Sequence, residues 1–116
     1  MSLSYGPNLG ILIAGNAGEA HHAAILEFFR WIDALVQPHI ADKDLATPPG
    51  SPADGDLYIV AGSPTGAWST HAGHLARWWA AGSAWEFRTP KTGWRVHVID
   101  EAIDYRWSGS AWVALT

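Results

Sequence analysis

Between Asn16 and Pro38 the apolar positions recur with the three- and four-residue spacing of an amphipathic α-helix. Asn16 and Glu19 form a capping-box pattern at the start, and Pro38 cannot continue a helix, so a helix is predicted over about residues 17–37. Its apolar face collects Ile25, Phe28, Phe29, Ile32, Leu35 and Val36, widened by Ala24 and Trp31. This face covers about half of the circumference, more than one small sheet buries, and it predicts an oligomer interface.

Residues 1–15 alternate large apolar side chains with glycine and proline. These residues exclude a helix, so the pattern predicts an extended arm. An exposed apolar arm is an aggregation hazard, and we expect it to pack on a neighbouring chain. Its main contacts are predicted at Leu9, Ile11 and Ile13.

Residues 38–56 are rich in proline, glycine and aspartate, which predicts a linker without regular structure. From Leu57 onward, short β-branched and aromatic runs alternate with turn residues, which predicts an antiparallel meander or partial barrel over 57–116. The strands are expected near Asp56–Ala61, Leu75–Trp79, Ala84–Arg88, Arg95–Asp100, Ala102–Trp107 and Ala111–Leu115. The fold class is therefore α+β, with a single domain over 16–116 after the arm.

Seven of the eight tryptophans lie after residue 67, so the two halves of the chain differ in amino-acid composition. The phrase Gly-Ser-Ala-Trp occurs twice there, at 82–85 and 109–112, each time with a tryptophan shortly before it. Each copy predicts the turn and return strand of a β-hairpin, with tryptophans on the two strands facing each other.

The charge and composition of the chain exclude several classes of protein. The formal net charge is −4 and the seven basic residues are scattered, so no basic stripe for nucleic acid exists. No apolar run approaches the roughly 20 residues that span a bilayer, so no membrane insertion is expected. The N-terminus lacks the pattern of a signal peptide. Cysteine is absent, which excludes disulfides, thiolate metal sites and a cysteine nucleophile.

The polar residues favour no catalytic, cofactor or metal site. The spacing His71-x-x-His74 could bind a metal, but no carboxylate stands at a known interval from it, and packing at the edge of the core is the simpler interpretation. The acidic pairs, such as Asp54 and Asp56, suit turns better than a glycosidase or calcium site. No hydrolase or phosphate-loop motif occurs. We therefore expect a protein that is not an enzyme and carries no cofactor.

Tryptophan faces stack on sugar rings as well as on each other. The favoured interpretation places them in the core or at a subunit interface. The alternative is a carbohydrate-binding module that contacts host surface glycans. Its candidate stacking residues are Trp79, Trp85, Trp107 and Trp112.

Five segments together resemble a family of formally unknown function found in spikes and tail-fibre-like proteins of phages, prophages and gene transfer agents, chiefly of alphaproteobacteria. They read IDALVQ at 32–37, PPGSPADGDLYIV at 48–60, TGAW at 65–68, GWRVHVIDE at 93–101 and GSAWV at 109–113. The resemblance covers about residues 9–113. It departs at 18–24, where the family is richer in glutamine and asparagine, and at Thr116, beyond which family members commonly continue.

The resemblance implies a structural protein at the surface of a virion, made in the bacterial cytoplasm. A short member fits the base or adaptor of a head spike or tail fibre that supports host-cell attachment. Its expected partners are two further copies in a homotrimer, a capsid or tail protein, a distal fibre and host surface polysaccharide. The interface residues are expected to be Leu9, Ile11, Ile13, Ile25, Phe28, Phe29 and Ile32. The family transfers no catalytic residues.

Overall fold

The computed structural model describes residues 4–5, 12–13 and 19–115. The chain divides into two compact units, residues 1–37 and residues 38–116. The predicted division into an arm over 1–15 and one domain over 16–116 stays a prediction. One helix followed by two β-sheets confirms the α+β class.

The first unit contains two short strands and the helix. β1 (Ser4–Tyr5) pairs antiparallel with β2 (Leu12–Ile13), and β2 lies beside α1 (Glu19–Val36) of the same chain. The helix confirms the predicted span at its described positions and ends just before Pro38. Leu9, Ile11 and the predicted cap Asn16 lie outside the described residues. The packing of the arm on a neighbouring chain stays a prediction.

The second unit contains a three-stranded antiparallel sheet. It comprises β4 (Leu57–Ile59), β5 (Leu75–Trp79) and β6 (Ala84–Arg88), in the order β4-β5-β6. The loop after β4 forms a short 3-10 turn (Gly66–Trp68). This turn places Trp68 against the face of the sheet that carries Ala76, called the first face below. Trp68 forms a buried cluster there with Val60 and Ala76.

A four-stranded sheet completes the second unit. It comprises β3 (His39–Ile40), β7 (Arg95–Val98), β8 (Ile103–Trp107) and β9 (Trp112–Leu115), in the order β3-β7-β8-β9. Along β7 exposed and buried residues alternate, so one face of the sheet joins the core through Val96 and Val98. This is the period-two pattern of a strand with one covered face.

The strands of the predicted meander are confirmed, with two corrections. They form two sheets, and residues 38–56 are not wholly irregular, since β3 pairs in parallel with β7. The correction has a physical reason, because the backbone here bonds to both sheets. Pro38 O accepts from His97 N over 3.0 Å, and Ala41 N donates to Leu57 O over 2.9 Å. Ile40 between them is completely buried, which favours the strand over the linker.

Candidate interaction surface

The helix α1 carries large apolar side chains that the chain leaves exposed. Phe28 is 39% exposed, Phe29 is 60% exposed and Val36 is 64% exposed. Ile25 is also exposed, and Ile32 between them is half-buried. At 100° per residue these five residues share one stripe along the helix, called the α1 stripe below.

The opposite part of the same apolar face is covered. Trp31 is completely buried and Ala24 is 1% exposed. The wide apolar face predicted from the sequence therefore has two parts, one buried and one open. The structure brings four predicted interface residues, Ile25, Phe28, Phe29 and Ile32, into the open stripe. Ile13 lies in β2, and Leu9 and Ile11 lie outside the described residues.

The first Gly-Ser-Ala-Trp phrase forms the predicted hairpin between β5 and β6. Trp78 lies directly opposite Trp85, with ring centroids 5.1 Å apart and ring planes at 61°. Trp85 also contacts Trp68 and Tyr58, at centroid distances of 5.2 and 5.9 Å. This pair is therefore part of an aromatic cluster on the first face of the three-stranded sheet.

The second phrase forms the predicted hairpin between β8 and β9. Trp107 lies directly opposite Trp112, with centroids 5.2 Å apart. The Trp112 Nε1–H donates to the carbonyl of Gly73 over 2.9 Å. A Cβ added at Gly73 would meet the Trp107 ring at 3.4 Å, so this ring lies over the glycine. The pair ties the β8–β9 hairpin to the loop that precedes β5.

Trp79 has a different environment. Because Trp79 follows Trp78 along β5, its side chain is on the opposite face of the sheet from the Trp78–Trp85 pair. Its ring covers Gly82, where an added Cβ would lie 2.4 Å from the ring. The four tryptophans of the glycan alternative are all half-buried and are divided between three environments. They do not form one platform.

Tyr58 and the loop residue His71 complete the aromatic cluster. Burial, with the charges of Asp56 and Asp42, raises the pKa of Tyr58. The His71 ring stacks on Phe87 with centroids 3.6 Å apart and parallel planes. Sequence reasoning did not select Tyr58, His71 or Phe87 as a group, because they come from three separate segments. The alternation of β4 and β6 places Tyr58 and Phe87 on one face, but it does not locate the loop.

The two histidines of the His71-x-x-His74 motif face each other. Their Nδ1 atoms are 3.1 Å apart. Burial, with the neighbouring His71, lowers the pKa of His74. His97 lies on the four-stranded sheet and bonds to Asp104 over 2.6 Å. Within the part of the chain that the structure describes, no three histidine, aspartate or glutamate side chains are grouped to hold a metal ion.

Acidic residues surround Lys43 at the end of β3. Its Nζ lies 2.9 Å from Asp44 and 3.4 Å from Glu101, and 5.2 Å from the centre of the Tyr105 ring. The hydrogen bond from Lys43 to Asp44 raises the pKa of Lys43. The Tyr105 hydroxyl donates to Glu101, and this bond raises the pKa of Tyr105. These contacts join three segments of the unit.

The aspartates of the proline-rich segment hold turns. Asp56 accepts from the backbone N–H of Ala53 over 2.9 Å. Asp54 accepts from the backbone N–H of Ala80 over 2.9 Å, 26 residues further along the chain. The bond of Asp56 is consistent with the interpretation of these acids as turn residues, whereas the bond of Asp54 joins the segment to the turn after β5. No helix of the described residues has the length and apolar character needed to cross a membrane.

The chain belongs to the DUF2793 family, which is described as proteins of unknown function, and the family model matches residues 26–113. This span begins inside α1 and includes every strand of the second unit except the end of β9. No curated protein matches the chain.

Proposed function

We propose that this member of the DUF2793 family is a structural virion protein, the base or adaptor of a head spike or tail fibre of a phage or gene transfer agent. It supports host-cell attachment by joining a distal fibre to the capsid or tail. The resemblance of five sequence segments to spike and fibre proteins supports the particle context. The chain itself performs no catalysis in this proposal.

The α1 stripe is the observation that carries the proposal. Phe28 and Phe29 together leave about one whole phenylalanine side chain exposed, which corresponds to roughly 150–250 Å². Ile25 and Val36 extend this patch along the helix. Contiguous exposed apolar surface of this kind is typical of protein interfaces.

The spacing of the stripe also suits packing against other helices. Ile25, Phe28, Ile32 and Leu35 follow the alternating three- and four-residue steps of a coiled-coil seam, and Phe29 and Val36 flank it. We infer that the stripes of three copies pack together. Three copies are proposed because spikes and fibres of the kind that the chain resembles are usually trimeric, and in a cyclic trimer every copy buries the same stripe.

Particles purified from a producing strain test the proposal directly. Mass spectrometry should detect the chain in them, and immunogold labelling should place it at a spike or fibre. Phe29→Ser should reduce the incorporation of the chain into particles, because a polar side chain then lies beside the seam. Leu26→Ser is the matched control, since Leu26 is 45% exposed but lies off the stripe. Absence of the intact chain from the particles would contradict the proposal.

The carbohydrate-binding alternative rests on the half-buried Trp107–Trp112 pair, whose rings keep some accessible surface. The two planes are inclined at 59°, so they do not present one flat face to a sugar. A glycan array on the isolated chain separates the two functions. We expect no binding that depends on Trp107 or Trp112, and specific binding lost in Trp107→Ala would favour the alternative.

A further inference from the structure

The segment His71–His74 is a tight turn that places two imidazoles side by side. The backbone N–H of His74 donates to the carbonyl of His71 over 3.0 Å, and Gly73 at the third position has φ +80°. A positive φ at this position is the feature of a type II turn that favours glycine. Such a turn brings its first and fourth residues within about 7 Å of each other. The two histidines occupy those positions.

The facing atoms of the two rings are their Nδ1 nitrogens, 3.1 Å apart. Zinc–imidazole bonds of about 2.0–2.1 Å at tetrahedral angles place two ligand nitrogens about 3.3–3.4 Å apart. At the observed separation the two nitrogens share a hydrogen bond, so an ion must displace this bond and its proton while the nitrogens part by about 0.2–0.3 Å. We propose that His71 and His74 together bind one divalent transition-metal ion of the zinc class through Nδ1.

The surroundings hold both rings in place before an ion binds. The His71 ring lies flat on Phe87 at 3.6 Å. The carbonyl of His74 accepts from Val60 N over 3.0 Å, and the carbonyl of Val60 accepts from Gly73 N over 2.8 Å. These bonds anchor the turn to Val60, the residue that directly follows β4. Because the ligands are already ordered, little conformational entropy is lost on binding.

The exposure of the pair suits a metal ligand. Both side chains are half-buried, so each keeps part of its surface in contact with solvent.

The site has two protein ligands in the described part of the chain, where no third histidine or carboxylate joins the group. The remaining positions are filled by water or by a donor atom of another molecule. This makes the site open, unlike the closed four-ligand sites that are required for folding. The spacing His71-x-x-His74 alone did not favour a metal, because it does not show that the turn makes the nitrogens converge. The inference is independent of the proposed role in a particle.

Zinc chloride titrated into the untagged, chelator-treated chain tests the inference. Calorimetry should show one ion bound per chain. Long-range ¹H–¹⁵N spectra of the histidine rings should show that the Nδ1 signals of His71 and His74 shift, and that in the zinc-bound form both rings carry their proton on Nε2. This readout uses the intact chain, so it does not depend on how any variant folds.

Variants add a second test. His71→Gln and His74→Gln should each weaken zinc binding by at least about tenfold, as loss of a ligand must exceed the effect of losing an outer-shell partner. His97→Gln is the matched control and should bind as the intact chain does, because His97 is exposed and bonds to Asp104. The inference is overturned if zinc does not bind, if the ring signals of His71 and His74 do not move, or if His97→Gln removes the binding.

Discussion

Trp107 and Trp112 lie directly opposite each other on β8 and β9, and the Trp112 Nε1–H donates a hydrogen bond to Gly73 O in the loop before β5. The Trp78–Trp85 pair has nearly the same ring geometry in the other sheet. The repeated Gly-Ser-Ala-Trp phrase thus encodes the same cross-strand pair twice. One pair belongs to an aromatic cluster and the other joins a hairpin to a loop.

The bond to Gly73 predicts a difference between the two members of the second pair. Trp112→Phe keeps an aromatic ring but loses the hydrogen bond, which is worth about 0.5–1.5 kcal/mol. Trp107→Phe removes a similar ring area without removing that bond. Urea denaturation should therefore show a lower free energy of unfolding for Trp112→Phe, by about 1 kcal/mol relative to Trp107→Phe. Equal values for the two variants would show that the Nε1–H contributes nothing.

Gly82 should not tolerate even a methyl group. An alanine Cβ there would lie 2.4 Å from the Trp79 ring, so the ring must move off the turn. We expect Gly82→Ala to lower the free energy of unfolding by about 1–3 kcal/mol, as overpacking does elsewhere, and to red-shift the tryptophan emission. Gly62→Ala is the control, because no atom lies within 4 Å of its added Cβ. If Gly82→Ala changed neither the free energy of unfolding nor the tryptophan emission, the Trp79 ring would not pack against Gly82.

Alkaline pH should destabilise the chain through Tyr58. Its pKa is higher in the folded protein than in the unfolded chain, mainly because of burial, so folding favours the neutral phenol. The associated stability is complete below the ordinary tyrosine pKa of about 10 and is lost as the pH rises through the folded value. Tyr58→Phe should reduce this alkaline loss in urea unfolding followed by fluorescence. A loss of the same size in Tyr58→Phe would assign it to other groups.

The bond between Asp54 and Ala80 predicts a modest stabilising role for the proline-rich segment. Asp54→Ala should lower the free energy of unfolding by about 1 kcal/mol, because it leaves the Ala80 N–H without its acceptor. Asp54→Asn should recover most of the loss, since an amide oxygen also accepts. Neither variant should change assembly, and urea denaturation with light scattering measures both effects. Release of a bound cation by Asp54→Ala would contradict this role.

The sequence predicted the parts of the fold that depend on local pattern. The helix ends at Val36 because Pro38 follows, and the facing tryptophans of both hairpins follow from turn chemistry and period two. It missed β3, because His39 and Ile40 gain strand structure only from their partners on β7, which lie 58 residues further along the chain. Proline-rich composition gave no sign of that long-range pairing.

The same distinction between local pattern and long-range contacts applies to the candidate sites. The periodicity of α1 grouped Ile25, Phe28, Phe29 and Ile32, and the structure leaves this stripe open over most of its length. The periodicity could not show that Trp31 and Ala24 are covered while Phe29 is not. The convergence of His71 and His74 was also beyond the sequence, because it depends on the turn at Gly73 and on the Phe87 ring from another strand.

Sedimentation equilibrium of the intact chain at micromolar concentration shows directly whether the α1 stripe holds three copies together, as we claim. We expect a trimer, which Phe29→Ser dissociates while the helical circular dichroism signal is retained, and which Leu26→Ser leaves intact. Phe29 and Leu26 are both exposed in the single chain, so the comparison separates the stripe from apolar exposure in general. A stable, well-folded monomer of the intact chain would contradict the claim.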